Sequence, residues 1–131
     1  MAITTARYWR EIPQRYRFEA GKCKGCGEVC FPPRRVCPVC GSRKWKAVVL
    51  PDHGTVETFT VIRVAPEEYT DSAPYAVGIV KLADGTKVMM QIVDADLDKL
   101  AVGAKVKVEF RKLRGEGEAG VIFYGYKAVP A

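Results

Sequence analysis

From residue 54 onward, apolar and polar residues alternate in short runs. "GTVETFTVIRV" (54–64) sets Val56, Thr58, Thr60 and Ile62 on one side and Glu57, Phe59, Val61 and Arg63 on the other. Period-two alternation predicts a half-buried strand. "YAVGIVKLADGTKVMMQIV" (75–93) holds two further strands around Ala83-Asp84-Gly85-Thr86, a hairpin signal, with Met89 and Met90 read as core filling. "DADLDKLAVG" (94–103) reads as an acidic turn capping a short helix. Val106, Val108 and Phe110 then alternate with Lys105, Lys107, Glu109 and Arg111. A glycine-rich loop at 115–120 leads to a last strand, "VIFYGYKAVP" (121–130). Five short strands with a central hairpin and glycine-rich connections predict a small closed barrel, an OB-fold.

The N-terminal third has a different pattern. In "TTARYWREIPQRYRFEAGK" (4–22), Thr4 or Thr5 can cap a helix, and Pro13 should end it soon after Glu11 or Ile12. Tyr8 and Ile12 share one face of that helix, with Trp9 beside them. A helix of about two turns is not stable alone in water. These side chains therefore need cover, from their own chain or from another protein. Own-chain surface is scarce here, because the segment that follows is too short to build a core.

That segment, "CKGCGEVCFPPRRVCPVCGS" (23–42), holds all five cysteines of the chain. Cys23 and Cys26 are followed by Gly27, and Cys37 and Cys40 by Gly41. Each C-x-x-C-G can form a tight turn with both sulfurs inward, closed by the glycine. Two such turns facing each other make a rubredoxin-like zinc ribbon with Cys23, Cys26, Cys37 and Cys40 as ligands. Four cysteines close a tetrahedral shell, so the metal is expected to be structural. Cys30 is left over and is expected as a half-buried residue on a ribbon strand. His53, in "PDHG", reads as a loop histidine, with a Cys30–His53 dyad as the rival reading. Between the turns, "FPPRR" is stiffened by Pro32 and Pro33 and presents Arg34 and Arg35 on an exposed tip. The expected fold class is thus mainly β: an N-terminal helical segment (1–20), a zinc ribbon (21–46) and a five-stranded OB-fold barrel (47–131).

Charge sharpens this division. Residues 1–50 carry 11 Lys/Arg against 3 Asp/Glu, a net of +8, and residues 51–131 carry 10 against 12, a net of −2. An anionic ligand or partner should meet the N-terminal third, unless the charge only keeps that third soluble. The opening "MAITTARYWREIPQR" lacks the apolar core of a signal peptide, and no apolar run could cross a bilayer. A soluble cytoplasmic protein is expected. There is no P-loop, Rossmann glycine pattern or nucleophile elbow. Asp94, Asp96 and Asp98 lack the glycine and distal glutamate of a calcium loop. No enzyme activity is expected of the chain alone. A single-stranded nucleic-acid binder is a rival class, since OB-folds stack bases on aromatics in a basic groove. Here the barrel is net negative, and Phe59, Phe110, Phe123, Tyr124 and Tyr126 are not interleaved with a basic run.

In order, "YWREIPQRYRF", "CKGCG", "FPPRRVCPVCGS", "GTVETFTVI", "APYAVGIVKLADG" and "VGAKVKVEF" resemble a family of small zinc-ribbon/OB-fold proteins. It was first catalogued as a domain of unknown function and is tied to acyl-CoA metabolism. The resemblance spans residues 7 to 128. The opening "YWREIPQRYR" is most similar to an archaeal group. The resemblance implies a non-catalytic scaffold that joins acetoacetyl-CoA thiolase to hydroxymethylglutaryl-CoA synthase, in the mevalonate route to isoprenoids. It implies zinc at Cys23, Cys26, Cys37 and Cys40, while Cys30 departs from the family pattern. Contact with CoA thioesters stays open, as does service as an accessory subunit of another thiolase-like enzyme. Tyr8, Trp9 and Ile12, then Arg34 and Arg35, are the expected partner-binding residues.

Overall fold

The computed structural model describes residues 5–115 and 122–131, in two compact units, 1–50 and 51–131. Thr4 and most of the expected 115–120 loop lie outside the described residues.

In the first unit, helix α1 (Thr5–Arg10) is followed by α2 (Ile12–Tyr16). Pro13 was expected to end helical structure. Instead it sits in the first turn of α2, where its missing N–H is no loss. Its cost falls on α1, whose run of i→i−4 bonds cannot continue through it. Glu11 clasps the break: its carboxylate accepts from Arg7 Nε at 3.2 Å and from Arg15 Nε at 2.9 Å. Strands β1 (Glu19–Cys23), β2 (Val29–Cys30) and β3 (Trp45–Val49) form an antiparallel sheet in the order β2-β1-β3. The apolar run at 47–49 therefore pairs with β1, and the expected ribbon–barrel boundary at 46/47 falls inside β3.

Few side chains are buried in this unit: Phe18, Ala20, Cys23, Cys30, Cys37 and Leu50. Phe18 adopts φ 49°, a turn between α2 and β1 that aims its ring edge-on at Phe31, 5.1 Å away. Its carbonyl accepts from the N–H of Leu50. Trp45 lies over Gly21, where an added Cβ would come within 3.2 Å of the indole.

The second unit is a closed barrel in the order β4-β5-β6-β8-β7, the OB-fold expected. Its strands are β4 (His53–Ile62), β5 (Tyr75–Leu82), β6 (Lys87–Ile92), β7 (Lys105–Gly115) and β8 (Ile122–Pro130). Neighbours are antiparallel except β6 and β8, which meet in parallel at Ile92 and Ala128. The core is filled by Phe123, Ile92, Val56, Val80 and Val106, all essentially buried.

Three expectations change. In β4 a bulge shifts the register between Val56 and Thr58. One extra residue flips the alternation, so Val56 faces inward but Thr58 and Thr60 are exposed, while Phe59 and Val61 are half-buried. Of the two methionines in β6, only Met90 is buried. Met89, one residue earlier on the pleat, is 74% exposed. The acidic segment after β6 forms turns, not a helix: Asp94 has φ 57°, and Asp96 Oδ1 accepts the Asp98 N–H.

The hairpin forms as expected. Gly85 (φ 90°) closes it, and the Leu82 N–H donates to the Thr86 carbonyl. Gly78 pairs with Phe59 just beyond the bulge, where a Cβ would sit 2.6 Å from the Thr58 carbonyl oxygen and 2.9 Å from Ile92 Cδ1. Gly78→Ala is thus expected to destabilise the barrel by about 1–3 kcal/mol, read as a lowered urea midpoint. An unchanged midpoint would contradict the close approach.

Candidate metal centre and partner-facing residues

The two C-x-x-C-G turns repeat the same backbone bonds. The Gly27 N–H donates to the Cys23 carbonyl and the Gly41 N–H to the Cys37 carbonyl, both at 3.0 Å. Cys23 N–H donates to the Glu28 carbonyl at 2.8 Å, and Cys37 N–H to the Ser42 carbonyl at 2.9 Å. Gly27 (φ 81°) and Gly41 (φ 73°) supply the left-handed conformation that closes each turn. A bond from the Lys24 N–H to the Lys44 carbonyl joins the two turns.

This geometry brings four sulfurs together. Cys23 and Cys40 Sγ are 3.5 Å apart, as are Cys26 and Cys37 Sγ, and all four lie within 4.8 Å of one another. A tetrahedral zinc with Zn–S of about 2.3 Å separates its sulfurs by about 3.8 Å. The donor set and spacing therefore fit zinc, and a shell of four thiolates leaves no position for water or substrate.

The electrostatics also call for a cation. N–H groups of Cys26 and Gly25 hold Cys23 down to about 6, against the effect of burial. The N–H groups of Cys40 and Val39 likewise lower Cys37. At Cys26 the Glu28 N–H pulls down, but the neighbouring Cys37 thiol and burial push it up to about 12. At Cys40 the Ser42 N–H is likewise outweighed, chiefly by Cys23. Four thiols this close cannot all ionise unless a cation sits among them.

Cys30 is outside the group. It pairs with Gly21 across β1 and β2 and is buried rather than half-buried. Burial raises its pKa, which makes a thiol inert rather than nucleophilic. His53 is exposed, with Nδ1 3.3 Å from Asp52 Oδ1.

The expected partner-facing residues divide. Trp9 is 72% exposed. Tyr8 turns back onto its own chain: its hydroxyl bonds Tyr16 at 2.6 Å, and the Arg15 guanidinium lies 5.1 Å from its ring. Ile12 is half-buried. Arg34 and Arg35 are exposed, on a loop held by a 2.9 Å bond from Trp45 Nε1 to the Arg35 carbonyl. Sequence reasoning passed over Val36 and Val39, which are exposed beside that tip. Their signal was available: both sit between prolines, arginines and metal-binding cysteines, where no core can form. No described helix is long and apolar enough to cross a membrane.

Residues 10–46 match the family model described as ChsH2, rubredoxin-like zinc ribbon domain. Residues 47–111 match that of ChsH2, C-terminal OB-fold domain. A DUF35 domain-containing scaffold protein of Methanothermobacter thermautotrophicus is 44% identical over 131 residues, 99% of this chain and 98% of that one. A protein of the same name from Methanocaldococcus jannaschii is 38% identical over 125 residues, 95% and 89% of the two chains. Among solved structures, a chain of the Ltp2-ChsH2(DUF35) aldolase is similar at TM-score 0.75 and 26% identity, over 99% of this chain and 98% of that one.

Metal analysis separates the cysteines. Cys37→Ser is expected to lose the zinc, whereas Cys30→Ala, which removes only a buried thiol, should retain a full equivalent. Equal loss from both variants would contradict the four-sulfur site.

Proposed function

This chain belongs to the family of DUF35 domain-containing scaffold proteins, built from a ChsH2-type zinc ribbon and OB-fold, and on that premise we propose that it is a non-catalytic scaffold. Its partners in this reading are an acetoacetyl-CoA thiolase and a hydroxymethylglutaryl-CoA synthase. Cys23, Cys26, Cys37 and Cys40 hold its zinc.

The observation that carries the reading is the whole-length relationship to proteins named as scaffolds. Two physical features support it. The first is Trp9, a large aromatic surface on a helix that is too short to stand alone. The second is the cationic ribbon. Lys22, Lys24, Arg34, Arg35, Arg43, Lys44 and Lys46 are exposed, and none is in an ion pair among the described residues. An acidic enzyme surface, or the phosphates of a CoA thioester, would complement them.

Coupling the two enzymes has a thermodynamic sense. Thiolase condensation of two acetyl-CoA is unfavourable, and the synthase step is favourable. Two active sites held together raise the effective concentration of acetoacetyl-CoA at the second.

A second reading has its own support. The likeness to a chain of the Ltp2-ChsH2(DUF35) aldolase favours service as an accessory subunit of another enzyme, such as the thiolase-like enzyme considered above. The nucleic-acid reading finds less: Phe110 stacks on Tyr124 at 5.3 Å and meets Tyr126 edge-on at 5.9 Å, so these rings are engaged with one another.

The test is to mix the three purified proteins and follow their co-elution. Wild type should bring both enzymes into one peak. Trp9→Ala should weaken at least one contact by about 30-fold, roughly 2 kcal/mol, with the zinc content unchanged. Assembly of the two enzymes without this chain would overturn the scaffold reading. Full-strength assembly with Trp9→Ala would remove Trp9 from the interface.

A further inference from the structure

In the barrel, one buried cation lacks a counter-charge among the described residues. Lys127 on β8 is 8% exposed and has no ion pair or hydrogen bond among the described residues. The carboxylate opposite it in register, Glu109, is taken: its Oε1 lies 3.1 Å from Lys107 Nζ. Burial, reinforced by the charge of Arg111, lowers the Lys127 pKa. Arg111 is itself bound to Asp94 Oδ2 at 2.7 Å. With that pair closed, Lys127 leaves one positive charge uncompensated.

A buried acceptor lines the same pocket. Ile92 and Ala128 face each other across the parallel β6–β8 seam and are both in the core. Gln91 and Lys127, each one residue earlier, therefore share the outer side of that seam. Gln91 Oε1 is buried and has no hydrogen-bond partner among the described residues. Both residues line a pocket of about 260 Å³, together with Tyr75, Val93, Leu97 and the already paired Asp94. A largely buried lysine without a counter-charge and a buried carbonyl oxygen without a donor are both unfavourable. They ask for different things: the first an anion, the second a donor. Water supplies the donor but not the charge.

We propose that this pocket binds a carboxylate that carries an N–H group beside it. The carboxylate pairs with Lys127 Nζ, the N–H donates to Gln91 Oε1, and Tyr75, Val93 and Leu97 cover the apolar part. A small N-acyl amino acid and the last residue of a polypeptide share this chemistry. The proposal does not depend on the scaffold reading.

The test uses the full zinc-loaded chain, labelled for NMR and titrated with N-acetylalanine. Saturable shifts are expected at Gln91, Ile92, Val93 and Lys127, and the neutral N-acetylalaninamide should leave those signals in place. No saturable shift up to about 50 mM, generous for so small a ligand, or equal shifts with the amide, overturns the site. A pentapeptide ending in a free alanine distinguishes the sources. Tighter binding than N-acetylalanine identifies a polypeptide end, and its exclusion identifies a small acid. Lys127→Met should abolish the shifts. Gln91→Glu, which supplies an internal carboxylate to Lys127, should abolish them too and raise the melting temperature. It decides the question if Lys127→Met fails to fold. Binding retained at full strength in a folded variant of either kind would contradict the proposal.

Discussion

Everything in the first fifty residues depends on four sulfurs being held within 4.8 Å of one another. Few side chains are buried there, and three of them are cysteines. Phe18, Ala20 and Leu50 alone bury too little apolar surface to offset the conformational entropy of that much ordered backbone. A metal supplies the missing free energy, because its ligands come together only in the folded chain. The barrel needs no such aid. Its core of Phe123, Ile92, Val56, Val80 and Val106 is an ordinary hydrophobic one.

This contrast bears on function. A metal-closed ribbon can keep its surface for other uses, because little of that surface must turn inward. The exposed large hydrophobic residues of this unit are Trp9, Tyr16, Val36, Val39 and Val49, together with ribbon cations that have no ion pair among the described residues. A scaffold needs such a surface: rigid, and mixed apolar and basic. The loop bearing Arg34 and Arg35 is fixed by Trp45 over Gly21, so its charges are presented without a large entropic cost on binding.

The sequence showed the barrel well because strand alternation and the Asp84-Gly85 turn are local signals. It showed the paired C-x-x-C-G turns for the same reason: each turn needs only its own glycine. It misled where one residue shifts a pattern. The bulge after Val56 inserts a position that no periodicity reveals, and Thr58 and Phe59 exchange faces. Pro13 reads equally as a helix stop or a helix start, and only the Arg7–Glu11–Arg15 clasp decides between them. Tyr8 looked unpartnered because its partner, Tyr16, belongs to a second helix that was not expected. Neither Lys127 nor Gln91 could be noticed in advance. They meet at one pocket only because β6 and β8, strands far apart in sequence, pair.

The central claim is that a metal, rather than a core, holds the unit that carries the residues proposed to face partners. Hydrogen exchange on the chain before and after zinc is stripped with a chelator tests it most directly. The account predicts that amide protection is lost across residues 19–49 and kept across the barrel strands from 53 to 130. Restored zinc should bring it back. Protection of 19–49 that survives complete removal of the metal would contradict the account.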